Sequence, residues 1–542
     1  MATDSPTLAQ HLVQRLREHE VSVAFGIVGD YAIKLFAAMD DLEFPILVMG
    51  GEESAAFAAD AHARLRGLGV VAVTYGAGAL KVVNATANAW AEQVPLLVVS
   101  GAPGMHERLG NPQLHHKVKD FDSQLRIFAE LTCAQAVLAD PLTAANEIDR
   151  VLSTMLDEQR PGYLEVPRDA IASAIAPPTH GITHALPPVD EASLRHAIED
   201  IVETMASAHS VSIHAGAFVA RRGLEEPLRA LAEEANVPVA TSSLGRGVFP
   251  ERHELGLGMY LGAVSPERTN RILEEADVVL SLGVLQSDLT LGAFTAHLDH
   301  ERLILCSDTE VTVGYRTYRQ TPLWAVLPAL TAAVADAGIR LDSPHHPHTS
   351  ATQVTTDPLT VEHVIDALDA HLDERHGLLL DPGEALFASV DLRAPAWALG
   401  SGYYATMGYA LPAALGTWLA DPAHRPVVVL GDGAFAMSGL EVGALAFHHV
   451  PAIIVVLDNN GYGTQRPILD GPYNDIPALA AERMVDVAQA GRGWLVHTEA
   501  ELHEALSAAI ATQELSVIRV VLPPGTRSAG LNRLGAALAA RA

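Results

Sequence analysis

At 542 residues the chain is long enough for roughly three or four domains, each with an ample core. It is 49% apolar with a formal net charge of −30, so it is globular, and a surface this acidic is ill suited to nucleic acid or an anionic membrane. No basic stretch followed by an apolar one opens the chain, and no apolar run reaches membrane-spanning length, so neither a signal peptide nor a transmembrane segment is expected.

Two cysteines, Cys133 and Cys306, sit among apolar residues. They read as buried thiols of a protein kept in a reducing cytoplasm. Cys/His spacing for a metal is not evident.

Ser5 and Pro6 can cap and start a first helix, with Leu8, Leu12, Val13 and Leu16 on one face. A strand over 22–27 follows and ends in Gly29-Asp30. Strands over 46–49, 69–74 and 96–100 then alternate with helices over 53–65 and 82–91. Such alternation predicts a parallel sheet covered on both faces. Between the 46–49 strand and its helix lie Gly50, Gly51, Glu52 and Glu53. Acidic residues favour a helix N-terminus because of the dipole, and that suffices for Glu53. Further on, His115 and His116 are adjacent in a polar loop, which by itself means little.

Residues 177–188 are rich in proline and histidine and read as a linker. The stretch 343–350, continuing to Pro358, reads the same way; its histidines are expected in an exposed connector rather than a metal site. The linkers divide the chain into about 1–175, 190–341 and 358–542. The middle segment alternates too, with strands over 210–214, 237–241, 278–282 and 303–306, and shows no clear Gly-x-Gly-x-x-Gly fingerprint. The predicted fold class is α/β, with three doubly wound parallel-sheet domains.

The third segment carries the most information. Residues 425–434 and 451–461 are each an apolar, β-branched run ending abruptly in turn residues, Gly431-Asp432-Gly433 and Asn459-Asn460-Gly461. A helix is expected between them, over 438–449. Ligands of parallel sheets bind beyond the carboxyl ends of the strands, so Asp432 and Asn459, 27 positions apart, would face one spot. A carboxylate, an amide oxygen and a free loop carbonyl form a hard oxygen set suited to Mg²⁺ completed by phosphate oxygens. The glycines let backbone N–H groups approach a phosphate closely.

This pairing resembles the diphosphate-binding motif of thiamine diphosphate (ThDP) enzymes. Further segments occur in the order found in the non-oxidative 2-oxo acid decarboxylases: Phe25-Gly-Ile-Val-Gly-Asp-Tyr31, Gly76-Ala-Gly-Ala-Leu80, Leu114-His115-His116 and Ile127-Phe128. These enzymes are the pyruvate, indolepyruvate and phenylpyruvate decarboxylases. The similarity runs along nearly the whole chain and looks strongest to the phenylpyruvate branch, through 73–79 and 402–409.

The resemblance implies pyrimidine-binding, central and diphosphate-binding domains. It implies ThDP and Mg²⁺ between the first domain of one subunit and the third of another, hence an obligate homodimer, with a homotetramer as the expected larger assembly. Glu52 falls at the position that drives the aminopyrimidine to its imino tautomer, a role that burial tunes. Met407 matches the residue propping the bent cofactor, and the Ala405 carbonyl matches the acceptor for its amino group. Gly431, Asp432, Gly433, Ala434, Asn459, Gly461 and Tyr462 match the diphosphate end, with Asp432, Asn459 and Gly461 on the metal. Asp30, His115 and His116 match the polar relay that orients substrate and supplies a proton.

One position departs from the pattern. Where the family usually carries a second catalytic glutamate, this chain has Gln465, which hydrogen-bonds but transfers no proton at neutral pH. The expected reaction is decarboxylation of a large aromatic or branched 2-oxo acid to an aldehyde and CO₂. Tyr75 and Met407 are either walls of the substrate pocket or only core and cofactor contacts. The rival readings are a ThDP carboligase, an inactive ThDP-binding scaffold and, more remotely, a flavin-dependent oxidase.

Overall fold

The computed structural model describes residues 5–179, 181–182, 186–343 and 358–541. His180, His184 and the second linker's His345, His346 and His348 lie outside the described residues. The chain forms two compact units. One comprises Met1–Leu186, Pro412–Pro422 and Leu440–His448; the other comprises Pro187–Leu411, Ala423–Gly439 and His449–Ala542.

The first unit holds a six-stranded sheet of β1 (Ala24–Gly26), β2 (Ile46–Val48), β3 (Gly69–Val73), β4 (Leu96–Ala102), β5 (Ala134–Val137) and β6 (Gly162–Pro167). Its order is β2-β1-β3-β4-β6-β5, all parallel. The first helix is Leu8–Glu18, and its cap is Thr7 rather than Ser5. The Thr7 hydroxyl accepts Gln10 N–H, and the Gln10 side chain returns to Thr7 N–H, a closed capping box. The helix Glu52–Arg66 buries every residue from Ala55 to Ala63, so its alanines admit close neighbours on all sides. One neighbour is the 412–420 stretch, where a Cβ on Gly416 would lie 1.9 Å from the Ala58 carbonyl oxygen.

The second unit holds two sheets. The middle one has β7 (Val211–Ala215), β8 (Val239–Thr241), β9 (Gly256–Met259), β10 (Val278–Leu282), β11 (Leu303–Cys306), β12 (Glu310–Val313) and β13 (Arg316–Arg319). Its order is β13-β12-β11-β10-β7-β8-β9. Five strands are parallel, but β12 and β13 are antiparallel, a departure from the all-parallel expectation. Only two residues separate them, and Gly314 at φ +55° supplies the tight turn, so no crossover is possible. The outer strand β13 is largely exposed and carries Arg316 and Arg319, which discourages edge pairing.

The last sheet contains β14 (His376–Leu380), β15 (Trp397–Gly400), β16 (Arg425–Gly431), β17 (Ile453–Asp458), β18 (Arg492–Val496) and β19 (Ser516–Val521). Its order, β15-β14-β16-β17-β19-β18, repeats that of the first sheet, again all parallel. β16 and β17 are central and buried on both faces, which is why they read as continuous apolar runs. Between them lie two short helices, Asp432–Ser438 and Glu441–Phe447, in place of the single helix expected over 438–449. Gly439 marks the break: a Cβ there would sit 2.7 Å from the Phe435 carbonyl oxygen. Cys306 is buried and Cys133 half-buried, and burial pushes both thiols up to about 12. No helix among the described residues is long and apolar enough to cross a membrane.

Candidate active site

In the first sheet the strand order reverses between β1 and β3, and in such sheets ligands gather at the carboxyl ends of the strands flanking that point. The loop after β1 carries Asp30, and the loop after β3 carries Tyr75 and Gly76. Asp30 Oδ2 lies 2.6 Å from His115 Nε2. The His115 and His116 rings meet edge to face at 4.9 Å. Tyr31 stacks on His115 at 4.8 Å, and the Arg168 guanidinium lies 5.0 Å from the centre of the Tyr31 ring. Thus Asp30, His115 and His116 form one cluster, although 85 residues separate Asp30 from His115.

Gly76 explains why the loop sits there. It has φ +63°, and a Cβ would lie 2.2 Å from the His116 carbonyl oxygen. His116 itself has φ +67°, uncommon for a non-glycine residue. Tyr75 is buried, meets Tyr31 edge to face, and its hydroxyl donates to the Phe121 carbonyl at 2.8 Å.

Glu52 is the first residue of the Glu52–Arg66 helix and is buried. Lys81 Nζ donates to Glu52 Oε2 at 2.9 Å. Glu53 takes a lesser part, accepting Asn84 Nδ2. Ahead of the helix, Gly50 N–H donates to Glu441 Oε2 at 2.9 Å, and burial pushes that carboxyl upward. Glu441 therefore fixes the loop from which Glu52 projects.

In the second unit a cavity of about 470 Å³ is lined by Ala405, Met407, Gly431, Asp432, Gly433, Ala434, Asn459, Gly461, Tyr462 and Gln465. Gly433 and Gly461 donate N–H to Asp432 Oδ1 and Oδ2, at 2.8 and 2.9 Å. Even so, burial, and secondarily the neighbouring Asp458 carboxylate, push Asp432 up to about 6. Gly461, at φ +137°, passes so close to the Asn474 carbonyl that a Cβ would lie 2.2 Å from its oxygen. Asn459 is buried beside it. Ala405 adopts φ +59°, turning the chain just before Met407.

Asp381, which directly follows β14, was not anticipated. It accepts Gly408 N–H at 2.8 Å and Ala410 N–H at 2.9 Å, and full burial pushes it up to about 7. It anchors the turn that carries Ala405 and Met407. The only local signal is an apolar strand ending in Asp381-Pro382-Gly383. Part of the lining was also unforeseen: the helix Ala529–Ala539 contributes Leu531, Leu534, Gly535 and Leu538, joined by Leu289, Phe387 and Ile468. Ser528, the cap of this helix, donates its N–H to Glu384 at 2.6 Å.

These residues fit a diphosphate–cation pair: a half-buried carboxylate that forms no salt bridge among the described residues, a buried amide on the same cavity, and glycines along its lining. In Gly431 the Cβ direction is open, with no atom within 4 Å.

Residues 6–125 match the model of the thiamine pyrophosphate enzyme N-terminal TPP binding domain, 198–333 the central domain, and 385–520 the C-terminal TPP binding domain. The chain is 34% identical over 537 residues to the indole-3-pyruvate decarboxylase of Azospirillum brasilense, covering 97% of each. It is 32% identical to alpha-keto-acid decarboxylases of Mycolicibacterium paratuberculosis and of Mycobacterium tuberculosis, covering 95% of this chain and 94% of theirs.

Proposed function

Because the chain belongs to the thiamine pyrophosphate enzymes, as a ThDP-dependent 2-oxo acid decarboxylase, we propose that it uses Mg²⁺ and prefers a large aromatic or branched 2-oxo acid, of the indolepyruvate or phenylpyruvate type. The observation carrying the substrate preference is the apolar end of the second unit's cavity, walled by Leu289, Phe387, Ile468, Leu531, Leu534 and Leu538. An apolar wall loses little solvation when an apolar side chain covers it. Gln465, on the same cavity, brings no charge to the substrate side.

Asp432, Asn459 and the Gly461 carbonyl would hold the cation, and Gly431, Gly433, Ala434 and Tyr462 would face the diphosphate. Met407 and the Ala405 carbonyl would receive the rings, on a turn that Asp381 keeps rigid. Bound ThDP supplies a thiazolium that takes up the electron pair released with CO₂. Glu52 would set the protonation of the pyrimidine, from a loop fixed by Glu441. Asp30 orients His115 through the 2.6 Å contact at Nε2, so the pair can hold the proton that finally replaces the carboxyl group in the aldehyde.

The domain division 1–175, 190–341 and 358–542 belongs to this reading, supported by one sheet in each span. A homodimer, and a tetramer built from it, is supported by exposed Ile33, Val48, Leu440 and Phe447 in the first unit, where His448 Nε2 also meets the Val48 carbonyl. A cytoplasmic location fits two unpaired thiols.

The deciding experiment is a panel of 2-oxo acids, from pyruvate to indolepyruvate, monitored for CO₂ and aldehyde, with and without an added acceptor aldehyde. At least about a tenfold higher kcat/KM for the large substrates is expected. An advantage for pyruvate refutes the size preference, and an acyloin as the main product favours the carboligase reading.

A further inference from the structure

Asp30, His115 and His116 each offer a ligand atom, and the three atoms lie within 4.8 Å of one another. We propose that this cluster is a second metal site, for a borderline transition ion such as Zn²⁺, and that its occupancy blocks turnover. The donor set differs in kind from that at Asp432. Two imidazoles and a carboxylate suit Zn²⁺ or Co²⁺, whereas an all-oxygen set suits Mg²⁺. Binding at the cluster is independent of the cofactor reading; only the inhibitory consequence rests on the proposed relay.

The geometry needs little adjustment. Tetrahedral Zn²⁺ with bonds of about 2.0 Å keeps its donors about 3.3 Å apart. The Asp30–His115 contact of 2.6 Å has to open by about 0.7 Å, and the widest separation to close by up to about 1.5 Å. The side chains of His115 and Asp30 are 60% and 44% exposed, so an ion can reach them and they can move. The supporting shell is already built. Tyr31 stacks beneath His115, and its hydroxyl lies 3.4 Å from His115 Nδ1, the nitrogen left over when Nε2 binds. Gly76 packs against the His116 backbone. His116 Nδ1 is buried with no hydrogen-bond partner, so no competing bond ties that nitrogen.

The consequence follows from the lone pairs. The ion would occupy the His115 Nε2 lone pair and the Asp30 oxygen that otherwise share a proton, releasing that proton to solvent. The pair could then no longer deliver it to product.

The test uses the holoenzyme, loaded with ThDP and saturating Mg²⁺, titrated with Co²⁺ as a spectroscopic stand-in for Zn²⁺. Visible ligand-field bands of a nitrogen-containing, low-coordinate site should appear, saturate at one ion per chain and vanish on adding Zn²⁺. Activity should fall in step and return on selective chelation with Mg²⁺ in excess. His115→Ala and His116→Asn should each weaken Co²⁺ binding by at least about tenfold. Asparagine tolerates the positive φ at 116, so the second variant keeps the test valid if an alanine there disturbs the loop. Asp432→Ala should leave the Co²⁺ bands intact. Absent bands, bands unchanged in both histidine variants, or bands lost with Asp432→Ala overturn the site. Full turnover with the bands saturated overturns the inhibition.

Discussion

Lys81 donates to Glu52 across 2.9 Å, so the carboxylate expected to meet the pyrimidine already has a partner in the protein. Glu52 is buried, but the lysine side chain is 64% exposed, so solvent screens the pair from the lysine side and holds its worth to about 1 kcal/mol. Lys81→Met should therefore tighten ThDP binding modestly, by up to about fivefold, and reduce its salt dependence. Fluorescence titration with ThDP at two ionic strengths measures both; weaker binding in the variant would mean that Lys81 helps the cofactor rather than competing with it. Glu52→Gln should behave differently, binding ThDP yet turning over about 10²–10⁴ more slowly.

Chelation and desalting should abolish activity, and ThDP with Mg²⁺ should restore it. The half-buried Asp432 carboxylate, on the cavity lining, supplies the anion. Asp432→Ala should prevent the rescue while the thermal midpoint of the free protein holds or rises, since a poorly solvated carboxylate is removed. Full activity of metal-free wild type would contradict the assignment.

Asp381 predicts a pH dependence of stability without cofactor. Burial raises its folded value to about 7 from 3.8, so the folded state holds a proton that the unfolded chain releases. The contribution is fully present below pH 3.8 and is lost as pH rises through about 7. Thermal midpoints of the ThDP-free protein should thus fall between pH 5 and 8, with a slope from this group of at most about 1.4 kcal/mol per pH unit. Asp381→Asn should flatten that slope. Equal slopes in the two proteins would show that the anion is fully satisfied by Gly408 and Ala410 N–H.

Gly535 offers a test of the cavity. It lines the wall, and a Cβ added there meets nothing within 4 Å. Gly535→Leu should leave the fold intact, and helix propensity favours it by under about 1 kcal/mol. The new side chain should cut kcat/KM for phenylpyruvate-sized substrates by about tenfold while sparing pyruvate. Parallel losses for both substrates would place the apolar wall outside the substrate's reach.

Local pattern alone carried much of this protein. Buried parallel strands are continuous apolar runs that stop at turn residues, so the ends of β1, β16 and β17, and with them Asp30, Asp432 and Asn459, were legible from the sequence. Motif and resemblance together point to Ala405, Met407, Gly431–Ala434, Asn459, Gly461, Tyr462 and Gln465, all on the cavity, but not to Leu457, Gly463 or Thr464 among them. Tertiary structure decided what depends on distant chain segments. Glu441 reaches Gly50 across 391 positions, Asp381 reaches Gly408 across 27, and Lys81 reaches Glu52 across 29. A carboxylate or ammonium in a loop has no periodicity to betray its partner, because the partner is set by which strand ends the sheet order brings together. The same holds for Tyr75, an aromatic whose burial was settled by its neighbours, and for the helix Ala529–Ala539. That helix went unread in the sequence, and what it lines depends on how it docks, with Ser528 N–H on Glu384.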